Sequence, residues 1–176
     1  QRIERLKITR LAPNVKLRIR RETPDAALGQ TLRTYAALKQ PDTLEQLLPF
    51  VQTSNPQVRL GALVGILSFE QNNDQAQDYL LNVVRSENTE DRIFAAKVMG
   101  QIASDHFSGF LIELLDDHDS EVVDQAVIAA GQMKDARLTS ILINKLNRPG
   151  LRGRAGSALQ QIGEDALYEL ENALAL

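Results

Sequence analysis

The stretch that decides the fold is Asp119-Ser-Glu-Val122-Val-Asp-Gln-Ala126-Val-Ile-Ala-Ala-Gly131. It opens on Asp119 and Ser120, whose side-chain oxygens can accept from the open N–H groups of a helix start. It continues through small and branched apolar residues at helical spacing and reaches Gly131, five residues after Ala126. A glycine there marks either a close approach of another helix or the end of this one. A second stretch, Asn55-Pro-Gln-Val58-Arg59-Leu-Gly-Ala62, has the same character. There, an Asn cap precedes a proline at the first helical position, where a missing N–H does no harm.

Outward from these stretches, one signal recurs: Arg, two residues, then Ala. It stands at Arg33/Ala36, Arg59/Ala62, Arg92/Ala95 and Arg152/Ala155. In the copy at Ala126 the Arg position holds Val123. The alanines step by 26, 33, 31 and 29 residues, the length of two helices and two short turns. Each Ala is followed by an Asp ahead of another apolar helix, at Asp42, Asp74, Asp105, Asp135 and Asp165. Those aspartates are expected to cap the second helices, and Asp42-Thr-Leu-Glu45 has capping-box spacing. Apolar residues follow at helical intervals, as in Phe107, Phe110, Leu111, Leu114 and Leu115, or Leu138, Ile141, Leu142 and Leu146. Thr23-Pro24 has the form of a further first-helix start, and Asn147-Arg-Pro149-Gly150 punctuates the last repeat.

The expected fold is all-α, an α-solenoid of about five helical hairpins. The approximate repeats are 23–53, 54–86, 87–117, 118–147 and 148–176, preceded by a basic cap or linker over 1–22. The stretches quoted above resemble the HEAT repeats, closest to the short bacterial kind called phycobilisome-lyase-like. That resemblance covers roughly 150 residues and implies a right-sized superhelix that binds proteins. It does not imply an activity, because such folds host many jobs. Repeat proteins stabilise each hairpin by stacking it on the next. The small Ala is therefore expected to let helices approach, and the repeat Arg to pair with an acid or carbonyl across a repeat boundary.

Composition agrees with this class. Aromatic residues make up 5% of the chain and Trp is absent, so Leu, Ala, Ile and Val must carry the core. There is no Cys, which removes disulfides, thiol nucleophiles and cysteine metal sites and fits a cytoplasmic location. No apolar run reaches membrane-spanning length. Charge is uneven: residues 1–21 hold eight Lys/Arg and one Glu, net +7, whereas residues 22–176 hold twelve Lys/Arg and twenty-two Asp/Glu, net −10. An acidic array is a poor match for a nucleic-acid backbone. A first residue other than Met and an apolar last segment lead us to expect a piece of a longer chain.

Several segments could carry chemistry. Asp116-Asp-His-Asp-Ser-Glu121 is rich in hard oxygen donors, but it lacks the Gly of a calcium loop and has Ile128 where such a loop closes on Glu. It reads as a turn that caps the next helix. His106 and His118 stand beside Asp at expected turns without a nucleophile arrangement. Gly150-Leu-Arg-Gly153-Arg-Ala-Gly156 lacks the Gly-Lys-Ser/Thr of a phosphate loop. Its arginines, Arg148, Arg152 and Arg154, form a candidate contact for an anion or an acidic partner. Arg10, Lys16, Arg18, Arg20 and Arg21 form a candidate N-terminal basic patch for an anionic surface. Within it, Val15-Lys-Leu17-Arg-Ile19 alternates like a short strand, while residues 3–11, with Ile3 and Leu6, could form a helix. Tyr35, Tyr79 and Tyr168 are expected to pack with wet hydroxyls.

The expected function is a non-enzymatic protein-interaction scaffold or spacer, without catalytic residues, metal or cofactor. The alternatives are a regulatory domain of a larger membrane-associated or signalling protein, with surface contact through 1–21, and, further off, a nucleic-acid-binding HEAT-like protein.

Overall fold

The structure, a computed structural model, describes residues 10–20, 25–69 and 73–174, with the side chains of Arg20, Asp25, Ala26, Phe69, Asp165, Glu169 and residues 172–174 outside the description. Every described element is helical. In chain order they are α1 (Ala12–Arg20), α2 (Asp25–Ala37), α3 (Thr43–Leu47), α4 (Pro56–Phe69), α5 (Asp74–Val84), α6 (Thr89–Ile102), α7 (Ser108–Leu115), α8 (Ser120–Met133), α9 (Thr139–Lys145), α10 (Arg152–Ile162) and α11 (Glu164–Leu174). From α2 onward they alternate as first and second helices of five hairpins. Short 3-10 turns at Leu48–Phe50, Asp105–Phe107 and Ala136–Leu138 border the second helices of three hairpins. The chain divides into two compact units, 1–79 and 80–176, and the division falls inside α5.

In the first unit α2 packs on α4, and α1 packs on α2. Helix α4 is apolar nearly all round, with Val58 and every residue from Leu60 to Leu67 buried, as befits an inner helix. Its backbone approaches α2 so closely that a Cβ on Gly61 would lie 2.2 Å from the carbonyl oxygen of Gly29. Asn55 caps α4 as expected, accepting from the N–H groups of Gln57 at 2.9 Å and Val58 at 3.2 Å. Thr23-Pro24 lies outside the described residues.

Two expectations fail in this unit. Residues 15–19 are not a strand but part of α1. Ala12 and Ile19, seven apart, are buried on one helical face, while Leu11 and Leu17 are half exposed. Pro13 sits in the first turn, where it disturbs no helical bond. The Asp42 side chain does not cap α3. It is drawn off by Lys16 of α1 and by the Tyr35 hydroxyl, which donates to it at 2.6 Å. Those two bonds, Lys16 first, hold its carboxyl below its ordinary value.

In the second unit the first helices α6, α8 and α10 stack in a row. Gly131 lies inside α8 rather than at its end, and Gly100 stands likewise inside α6. A Cβ on Gly100 would come 2.9 Å from Ala129 Cα, and one on Gly131 would come 2.8 Å from Ala158 Cα. The core of this row is Ala95, Val98, Met99, Val122, Ala126, Val127, Ala130, Ala155, Ala158 and Leu159. Helices α6 and α8 both end on a left-handed residue, Ala103 (φ 51°) and Lys134 (φ 55°). Of the expected second-helix caps, Asp135 accepts from the Arg137 N–H at 3.0 Å. Neighbours take over elsewhere: Ser104 accepts from the His106 N–H at 3.3 Å, and Asn73 from the Ala76 N–H at 3.0 Å. Asp105 and Asp74 therefore fall one residue inside their helical segments. The Asp165 side chain lies outside the description.

Candidate partner-binding site

The repeat arginine shows what its position is for. Arg92, at the start of α6, is buried together with Asp117 in the turn ahead of α8. Its Nε and Nη2 donate to the Asp117 carboxylate at 2.7 and 3.1 Å. Its Nη1 donates to the carbonyls of Ser86 and Glu87 at 2.9 and 3.1 Å. One guanidinium thus closes its own turn and binds the next repeat. Burial pushes the Asp117 carboxyl up, but the Arg92 hydrogen bonds and the Asp119 N–H outweigh it and hold it below its ordinary value. Arg152 repeats half of this, its Nε donating to the Leu146 carbonyl at 3.0 Å, six residues back as Ser86 is from Arg92.

The other two copies sit in different surroundings. Arg59 donates to the Tyr79 hydroxyl at 3.1 Å. Arg33 lines a cleft of about 240 Å³ with Ala36, Lys39, Val64 and Ser68, and burial lowers its pKa.

In the acidic turn, each of the first two aspartates and the cap is committed within the chain. Asp116 accepts from the buried Lys145 at 2.9 Å. Asp117 binds Arg92. Asp119 caps α8 through the Glu121 N–H at 2.9 Å and also accepts from the Thr89 hydroxyl at 3.0 Å. Those two bonds, the backbone one first, hold the Asp119 carboxyl below its ordinary value. No group of Asp, Glu and His among the described residues is placed to hold a metal ion. His118 is exposed beside Asp117, at 3.4 Å, and His106 stacks edge-on against Phe107.

Of the three arginines in the Gly/Arg segment, the structure sets two apart. Arg154 pairs with Asp124 at 3.1 Å, and Arg152 is held by its own turn. Arg148 makes no hydrogen bond or ion pair through its side chain among the described residues. It lines a cleft of about 230 Å³ with Asp117, His118, Ser120, Val123, Gly150 and Leu151. The sequence marks Val123 as the copy that lost its Arg, but not the space that the loss leaves. That space becomes visible only when the Arg92 contacts are laid over the α8 turn.

The N-terminal candidates are dispersed. Lys16 is paired with Asp42, Arg10 and Arg18 are exposed, the Arg20 side chain lies outside the description, and Arg21 lies outside the described residues. Tyr35 is buried and Tyr79 half-buried, as expected, but Tyr168 is 70% exposed on α11 and does not pack.

Residues 77–160 match the family model for HEAT repeats. That stretch is similar to HEAT repeats. The match agrees with the stacked hairpins of the second unit and with the resemblance read from the Asp119 stretch; the Asn55 stretch lies outside the matched residues. No curated protein matches the chain. HEAT repeats generally mediate contacts between proteins, and HEAT-repeat proteins are typically non-enzymatic. No described helix is long and apolar enough to cross a membrane.

Proposed function

We propose that this chain is a non-enzymatic protein-interaction scaffold. One observation carries the reading. The ionisable side chains at the repeat turns, Arg92, Asp117, Asp119, Asp135 (through Ser108) and Lys145, are taken up in fastening one hairpin to the next, which leaves extended helical surface rather than a convergent catalytic cluster. Helix α1, packed on α2, serves as the N-terminal cap of the array in this reading. The proposed location is the cytoplasm, since a chain without cysteine draws nothing from an oxidising compartment.

In-cell photo-crosslinking tests the proposal. A photoreactive residue replaces Ile128 or Gln132 on a first helix, and Glu113 or Asn144 on a second helix, all exposed. Adducts to one discrete protein, concentrated in one row of positions, are expected. Adducts within a longer copy of the same polypeptide would favour the regulatory-domain alternative. No protein adduct from either row would overturn the scaffold reading.

A further inference from the structure

The five repeats are copies of one design, so a copy that lacks a shared side chain exposes what that side chain normally covers. Arg92 occupies the space between its own turn and the next one, bonded to the carbonyls five and six residues before it and to an acid twenty-five residues after it. In the following repeat the same helical position, four residues after the cap, is Val123. The corresponding carbonyls belong to Asp117 and His118, and among the described residues they accept no hydrogen bond. From the next turn, Arg148 lines the same space, so a cation borders the slot that Val123 leaves open. The result is the cleft of about 230 Å³, floored by the buried Val123 and Leu151, with Arg148 at its side.

We propose that this slot between the α8 and α10 turns binds an extended acidic peptide segment of a partner protein. A carboxylate of the segment pairs with Arg148, an apolar side chain rests on Val123 and Leu151, and its backbone N–H groups satisfy the carbonyls of Asp117 and His118. The class of ligand follows from charge. A partner Lys or Arg entering the vacated space would meet the Arg148 guanidinium, whereas a carboxylate gains a charge-assisted hydrogen bond. Nearby acids do not compete for Arg148, because Asp117 is held by Arg92 and Asp124 by Arg154. The inference rests on the interaction-scaffold reading and names one of its contact points.

The test is a titration of the full chain followed by amide NMR, with the synthetic peptide acetyl-Ala-Leu-Glu-Leu-Ala-amide and its Gln and Lys counterparts as probes. Saturable shifts at the His118, Val123 and Leu151 amides are expected with the Glu peptide, and binding roughly tenfold weaker with the Gln peptide. Arg148→Gln, at an exposed position, should remove the difference between the Glu and Gln peptides. Val123→Arg restores the repeat residue and should abolish binding of all three. Val123→Met fills the slot without charge and gives the same readout should the arginine variant fail to fold. Shifts elsewhere, equal affinity for the Glu and Gln peptides, stronger binding of the Lys peptide, or binding retained in the filled variants would overturn the proposal. Failure here alongside positive crosslinks at other surfaces sinks only the slot, whereas absent crosslinks sink the broader reading.

Discussion

Arg92 and Asp117 are the most consequential pair of side chains in the second unit. Both are more than nine-tenths buried, so removing one strands a charge in a poorly hydrated place. Arg92→Met should lower stability by about 3–5 kcal/mol, measured by urea unfolding. The Asp117 carboxyl sits below its ordinary value when folded, so its contribution is complete above the unfolded value near pH 4 and is lost as pH falls through the folded one. Asp42, Asp119 and Asp135 are shifted in the same direction. The melting temperature should therefore hold from neutral pH to about pH 4 and fall below it. The fall should be shallower in Asp117→Asn, which starts lower. Thr139 presents the opposite case: its hydroxyl is fully buried with no partner among the described residues. Thr139→Val should leave stability unchanged or raise it by up to about 1 kcal/mol, because no bond is lost and a desolvated oxygen is removed. At this scale the sequence was informative about recurrence and silent about partners. It flagged Arg92 as a structural fastener and Val123 as the odd copy. It could not say that Asp42 would turn to Lys16 and Tyr35, since that competition is decided by where α1 lands.

Among the helices, glycine separates packing from mere composition. Gly131 and Gly156 both lie within helices, and only one of them faces a neighbour. A Cβ on Gly131 would meet the α10 backbone at Ala158, whereas one on Gly156 would meet nothing within 4 Å. Gly131→Ala should destabilise by about 1–3 kcal/mol through forced separation of α8 and α10. Gly156→Ala should stabilise by up to about 1 kcal/mol, from helix propensity alone. Opposite shifts in thermal melts check both. Element boundaries were largely readable, because Asn55, Asp119 and Asp135 cap where their spacing says they should. The exceptions have local causes. Ser104 and Asn73 precede Asp105 and Asp74 by one residue and are themselves good caps, so the helical segment starts earlier. Residues 15–19 alternate in polarity over too short a run to tell period two from period 3.6, and the Ala12–Ile19 face settled the matter toward helix.

Within the second unit, four polar contacts join the α6/α7 hairpin to the α8/α9 hairpin. Thr89 donates to Asp119, Ser108 to Asp135, Lys145 to Asp116 and Arg137 to the Asp105 carbonyl. Hydrogen exchange should show the central amides of α6 and α8 opening together rather than as separate hairpins, and independent exchange of the two helices would contradict this. The class of fold was legible because repetition multiplies a weak local signal. The candidate contact was legible only in part. Arg148 was singled out beside Arg152 and Arg154, but which of the three stays unpaired depends on Asp124 and on the Leu146 carbonyl, both brought near by stacking.

The Asp119 carboxylate starts one helix and accepts from the first helix of the hairpin before it, so a single side chain belongs to two modules at once. Shuffling, grafting or shortening this array would thus have to respect a shared joint. A cut placed ahead of Asp117 leaves Thr89 without its acceptor and Arg92 without its acid, an end that needs a purpose-made closing piece before it can stand in water.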